Sequence, residues 1–399
     1  MVNLEIVLRL ALALSMQEGP YDPDPHHAWN ELHRALFTWH PLAAGQSEEV
    51  EPDPRFWPLP KEPSDNWTVS KELAGRIERF DAKLIKDPLK RALLQHDLWM
   101  FLDGLEGLPM SNFRSYAMQG DTEREALRQK LVPILRQLAL TPEEIRALPD
   151  NYAQAVKAKA FAPSFDPKDP ERSFLPPDLW EPEGPWVLVG REKEAVLAEE
   201  HVKLMRGRSA CFIFIALPDG RAATVDYVNS LKTLRRTGSL PKPPVGTRVL
   251  LLRRAFVLDS KGDPHLSPLT EEIRIRATLE TADPGPAGIF DFALVRRDLI
   301  KGAAGGLRAS GPEEQANLTF FNRVATARVR VRTSCNLCHQ GAELTNGIRV
   351  AGFDPTTDER IWEGVPLKVT TADREAALTL QRQRQDESWK LISGLWPKE

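Results

Sequence analysis

Cys211-Phe212-Ile213-Phe214-Ile215-Ala216-Leu217 is the most apolar strand candidate in the chain, and Pro218-Asp219-Gly220 ends it. Aromatic and β-branched side chains dominate, the run is too short for a buried helix, and a turn signal closes it. It therefore reads as a buried strand. Similar runs lie on either side. Trp186-Val187-Leu188-Val189 precedes it; Arg248-Val249-Leu250-Leu251-Leu252 and Ala255-Phe256-Val257-Leu258 follow, with a turn over 259–262. Ile273, Ile275 and Ala277 alternate with Arg274, Arg276 and Thr278, and Phe290, Phe292 and Leu294 repeat the period of two. Over 325–333, Arg328, Arg330 and Arg332 fall on one face and Val329 and Val331 on the other. Short strands with few long helices between them predict a β-rich domain over 163–333, sandwich- or barrel-like, entered through a proline-rich stretch at 163–186.

Upstream of that stretch the period changes from two to 3.6. Trp29, Leu32 and Leu36 share one side of a helix that follows Asp24-Pro25. Leu73, Ile77, Phe80 and Leu84 continue the helical spacing, Pro88 breaks it, and Leu89, Leu93, Leu94, Leu98, Phe101 and Leu102 resume it. Leu127, Leu131, Ile134, Leu135 and Leu138 mark another helix, and Thr141-Pro142-Glu143-Glu144 is a capping signature that opens the next. Residues 41–66, rich in acidic residues and proline, read as loop. A helical domain is thus expected over 18–162. Residues 334–399 form a third segment, ending in a helix that Thr371 caps. The fold class expected is α+β.

Composition bounds the function. The 399 residues include 53 Lys and Arg against 56 Asp and Glu, a formal net charge of -3, which gives no reason to expect nucleic acid as a partner. A 42% hydrophobic and 27% charged content is that of a chain able to bury a core. Away from the N-terminus no window approaches the ~18 consecutive apolar residues of a membrane span. The stretch from Leu10 to Leu14 has the character of a signal-peptide core, although Glu5 and Arg9 interrupt it, so residues 1–17 are expected to be an export signal or else an amphipathic first helix.

Three cysteines cannot build a disulfide framework, but two of them stand in Cys335-Asn336-Leu337-Cys338-His339. Two thiols three positions apart lie on one helical turn, where each can add to a vinyl group of one haem, and the imidazole that follows reaches the iron as axial ligand. Cys335 and Cys338 are the expected thioether positions and His339 the proximal ligand. Zinc would need further ligands, and no second Cys-x-x-Cys pair exists. A thiol–disulfide site would need a thioredoxin-like sheet, for which the residues after the motif leave little room. A structural pair without cofactor stays open as well. Cys211, between apolar neighbours, reads as a buried hydrophobe, and His96 as a satisfied helix residue.

The pentapeptide, with Gln340-Gly341 after it, resembles c-type cytochromes. That resemblance implies one covalent haem c and export to the periplasm or cell envelope. More broadly, Asp24-Pro25-His26-His27, Lys86-Asp87-Pro88-Leu89, Leu148-Pro149-Asp150-Asn151-Tyr152 and Phe174-Leu175-Pro176-Pro177-Asp178-Leu179 resemble a family of exported bacterial haem-motif proteins whose activity is not settled. The chain departs from small electron carriers: its motif is near the C-terminus, and neither Met nor His follows His339. A sixth iron ligand must come from upstream. His26 and His33, seven apart with Asn30 between them, are expected to share one helix face and are the candidate distal ligands; Met100, Met110, Met118 and Met205 come after them. The function expected is redox or electron transfer with a redox partner protein. The alternatives are a sensor or enzyme that binds a small-molecule ligand at an open iron, and an envelope binding or scaffold protein whose motif is structural or holds a metal.

Overall fold

A computed structural model describes residues 21–39, 48–49, 71–105, 121–192, 195–204, 207–232, 243–279, 288–320, 323–330, 351–353, 360–362 and 367–396. The N-terminal helices are α1 (Ala28–Phe37), α2 (Lys71–Arg79), α3 (Pro88–Leu105), α4 (Asp121–Gln137), α5 (Pro142–Ala147) and α6 (Asn151–Lys157). A two-stranded ribbon of β1 (Thr38–Trp39) and β2 (Glu48–Glu49) follows α1. Pro88 starts a helix, where the sequence reading had it break one. It occupies the first turn of α3, where its missing N–H has no intrahelical acceptor to lose, and Asp87 accepts from Lys90 N at 2.8 Å. The capping box at Thr141 is present: its hydroxyl accepts from Glu144 N at 3.2 Å, and Glu144 accepts from Thr141 N at 2.9 Å.

The strands are β3 (Val187–Arg191), β4 (Ser209–Ala216), β5 (Arg248–Leu258), β6 (Pro264–Ala277), β7 (Ile289–Leu294), β8 (Leu307–Ala309), β9 (Gln315–Phe320), β10 (Arg323–Arg330), β11 (Ala351–Phe353), β12 (Arg360–Trp362) and β13 (Leu367–Val369). Between and after them run α7 (Glu199–Leu204), α8 (Gly220–Lys232), α9 (Arg296–Ile300), α10 (Ala372–Gln383) and α11 (Glu387–Leu395). The fold is α+β. Seven strands make one antiparallel sheet in the order β13-β3-β4-β5-β6-β7-β8; β9 with β10 and β11 with β12 form separate two-stranded pairs.

The large sheet is open, neither a closed barrel nor a sandwich. Both of its faces are apolar, and helices cover both. Phe212, Phe214, Leu250, Leu252, Ile273, Ile275, Phe290 and Phe292 join the core that also holds Leu93, Leu94, Leu98 and Phe101 of α3 and Tyr152 of α6. On the opposite face Val187, Val189 and Ile215 pack with Tyr227, Val228 and Leu231 of α8, and Cys211 packs with Val202 of α7 and Leu378 of α10. The turn at Pro218-Asp219-Gly220, expected only to end a strand, also opens α8. The two runs at 248–252 and 255–258 are one strand whose register against β6 shifts between Arg253 and Phe256. β6 carries extra residues across that shift; the first is Glu271, between the Arg253–Glu272 and Arg254–Thr270 pairs, so Glu271 and Glu272 both stand beside Arg253.

The apolar core is continuous from Tyr21 to Trp396, so the N-terminal helices and the sheet share it. Thr371 caps α10, accepting from Arg374 N at 3.3 Å. Trp389 and Trp396 of the C-terminal region are core residues, Trp389 lying 6.0 Å from Trp99 of α3.

Candidate functional site

Cys335, Cys338 and His339 lie outside the described residues, as do residues 1–17, Met110, Met118, Met205 and Arg332. What the structure provides is the frame on which the motif is strung. The chain leaves the seven-stranded sheet at one edge, after β8, and rejoins it at the other edge as β13. Residues 310–366 make that connection, and the motif is among them. Strand spacing of about 4.8 Å puts the two edges about 29 Å apart. The hairpin of β9 and β10, with Arg330 opposite Gln315, delivers the chain to the motif. The strand expected over 325–333 is observed as Arg323–Arg330.

The candidate distal ligands do not share a helix face. His26 precedes α1, and its side chain is 83% exposed, Nδ1 standing 3.9 Å from Glu31 Oε1. His33 is 3% exposed, its ring edge-on to Tyr21 at 4.7 Å, and Tyr21 stacks on Trp29 at 4.4 Å. Helix α1 begins at Ala28 because Asp24 turns the chain before it, accepting from His26 N at 2.9 Å. His26 therefore does not continue the helical period. Asn30 is fully buried and structural: its Oδ1 accepts from Tyr21 N at 3.0 Å and its Nδ2 donates to Asp22 O and Asp24 O at 2.9 and 2.7 Å. Met100 packs inside the core. Cys211 is buried as expected, and burial pushes its thiol up to about 12, which keeps it protonated and unreactive.

A buried polar constellation surrounds His96, which is the satisfied helix residue expected from the sequence; its partners from the sheet were not expected. Helix α3 turns Gln95, His96, Asp97 and Asp103 into the interior, and all four are buried. His96 Nδ1 is 3.2 Å from Glu271 Oε1, and its Nε2 is 3.3 Å from Arg208 O. Glu271 Oε2 accepts from Ser209 Oγ at 2.5 Å and lies 3.4 Å from Arg253 Nε. Arg253 also binds Glu272 at 2.6 Å, Arg208 pairs with Asp103, and Arg296 reaches Asp97 at 2.6 Å. Arg274 closes the chain of charges by bridging Glu272 at 2.6 Å and Asp291 at 3.2 Å. Burial alone raises the Glu271 carboxyl, but His96, Arg253 and the Ser209 hydroxyl hold it below the usual carboxylate range. Burial drives the His96 imidazole down to about 4. The sequence did carry a signal: three polar residues in a row inside an apolar helix, and two adjacent glutamates interrupting a strand.

This constellation is closed to solvent, and Ser209 donates to a carboxylate rather than to the imidazole. It forms no nucleophile–base pair, and its chemistry is that of a structural charge network. Among the described residues no group of three or more His, Cys, Asp or Glu is arranged to hold a metal ion, and no helix is long and apolar enough to cross a membrane. No family model matches the chain, and neither a curated protein nor a solved structure matches it.

Proposed function

We propose that the protein is exported and carries one haem c, bound through Cys335 and Cys338 with His339 as the proximal iron ligand, and that it serves redox or electron transfer. The carrying observation is the pentapeptide itself. Its donor set fits the group: each thiol adds across a vinyl double bond, sulfur bonding to one carbon while the proton goes to the other, and the adjacent imidazole supplies a nitrogen for iron. The third cysteine supports this reading by exclusion, because Cys211 is buried and held protonated, which removes it as a rival for haem attachment. When bound, the haem supplies one-electron exchange at iron or a binding position for a small ligand.

The second reading, a sensor or enzyme with an open iron position, gains support from the packing. His33 and Met100 are buried in the core, and His26 stands outside α1 on the surface. The decisive experiment is expression with a c-type maturation system, followed by acid–acetone extraction and a pyridine haemochrome spectrum. Pigment that stays on the polypeptide supports the proposal. A colourless chain, or pigment that washes out, overturns it in favour of a structural or metal-binding motif.

A further inference from the structure

The motif follows directly on the β9–β10 hairpin, and that hairpin has two unlike faces. Arg328 stands opposite Asn317 and Arg330 opposite Gln315, while Val329 stands opposite Ala316 and Ala327 opposite Leu318. Cross-strand partners share a face, and every second position returns to it. One face therefore carries Arg328, Arg330, Asn317 and Gln315, and the other Ala327, Val329, Ala316 and Leu318. Arg328 and Arg330 are about 6.7 Å apart along β10. Cys335 comes five positions after Arg330, no farther than ~18 Å along the chain.

The charge on this stretch is one-sided. From Gln315 to Ala342 the chain has Arg323, Arg328, Arg330 and Arg332, and neither lysine, aspartate nor glutamate. The chain as a whole is balanced, with 53 basic residues against 56 acidic. A sheet face that meets only water gains from cross-strand pairs of opposite charge, but the residues opposite Arg328 and Arg330 are amides. Arg308, just upstream, does have a carboxylate in Glu314, at 2.7 and 2.8 Å. Arginine without lysine suits a carboxylate, because the planar guanidinium donates two parallel N–H bonds to its two oxygens and an ammonium does not. Haem brings two carboxylates, its propionates, on adjacent rings away from the vinyl groups.

From the place of this arginine face immediately before the motif, we infer that Arg328 and Arg330 of β10 bind the propionates of the haem held at Cys335, Cys338 and His339. The inference rests on the haem reading and names a further part of the same site. Two guanidinium groups neutralise two carboxylates, whose negative charge would otherwise favour ferric iron.

The test is the midpoint potential, by spectroelectrochemistry, of the full chain made with a c-type maturation system. The proteins are the wild type, Arg328→Gln, Arg330→Gln and Arg308→Gln, each first checked for covalent pigment. The expected result is pigment in all four. The ferric state should be favoured about three- to tenfold more in each β10 variant, and less than about twofold more in Arg308→Gln, which removes the same charge from an exposed pair. A midpoint in either β10 variant no further from wild type than that of Arg308→Gln overturns the inference while the haem reading stands, and leaves the arginine face to an acidic partner protein. A wild type without covalent pigment overturns both. Where the glutamine variants do not fold, Arg328→Lys and Arg330→Lys decide, since they keep the charge and lose the fork. With ¹³C-labelled propionates, a carboxylate stretch that moves in these lysine variants supports the inference, and one that stays at its wild-type frequency overturns it.

Discussion

Gln95 of α3 and Leu258 of β5 satisfy each other as two strands would. The Gln95 side-chain amide donates from Nε2 to Leu258 O at 3.1 Å and accepts from Leu258 N at 2.7 Å. A helix is thereby hydrogen-bonded to the end of a strand through a single buried side chain. Asn151 at the start of α6 repeats the device on β6, donating to Thr270 O at 2.9 Å and accepting from Thr270 N at 2.7 Å. Both amides dock helices on a sheet without adding charge to a core that already holds many.

Gln95→Ala should destabilise the protein by about 2 kcal/mol, because it strands the buried Leu258 N–H, while Leu258 O keeps Leu140 N as a donor at 3.3 Å. Urea denaturation is the measurement. Gln129→Ala on the exposed side of α4 is the control, expected within about 0.5 kcal/mol of wild type.

The Asp97–Arg296 pair, both residues buried, should behave non-additively. Arg296→Met alone leaves a buried carboxylate short of its guanidinium and should cost about 3–5 kcal/mol. Asp97→Leu combined with Arg296→Met should cost less than either single change. A double-mutant cycle by chemical denaturation reads this directly, and additive losses would count against the pairing.

Gly262 turns the β5–β6 hairpin at φ +83, and a Cβ built there falls 2.6 Å from the Trp396 ring. Trp396 in turn donates from Nε1 to Ser260 O at 3.1 Å. Gly262→Ala should displace this tryptophan and lower stability by about 1–3 kcal/mol. A red-shifted tryptophan emission with an earlier thermal midpoint is the expected signature; an unchanged spectrum contradicts the docking.

The three cysteines should separate cleanly. At pH 8 a thiol held at about 12 is thiolate in about one molecule in ten thousand, so native Cys211 should resist maleimide until the protein is denatured. Cys211→Ala should keep the covalent pigment, whereas Cys335→Ala with Cys338→Ala should lose it, as judged by haem-stained denaturing gels.

His26 should contribute nothing to the iron spectrum, since it is exposed and lies outside α1. His26→Ala is expected to leave the ferrous bands of the haem-loaded protein unchanged. Under the open-iron reading, carbon monoxide should shift the ferrous bands of wild type and of His33→Ala alike. Low-spin bands lost only in His33→Ala would instead make that buried imidazole the sixth ligand.

The sequence by itself determined what depends on near neighbours. The run Cys211–Leu217 is β4 and its extension, the Thr141 and Thr371 caps stand where their side chains reach an N–H three residues on, and Trp29, Leu32 and Leu36 are buried together. The proposal for Cys335–His339 is equally local, since the haem-attachment pattern it rests on spans only five consecutive residues. Tertiary structure decided the rest. Asp97 meets Arg296 across 199 positions and Gln95 meets Leu258 across 163, and neither partner can be chosen from spacing along the chain. The open sheet has the same cause. Alternating strands look alike in a barrel, a sandwich or an open sheet, and the choice falls to whether helices such as α3 and α8 cover its faces. His26 and His33 show the point on a small scale: seven residues apart predicts one face, but Asp24 turns the chain just before Ala28, and the helical period starts too late to include His26.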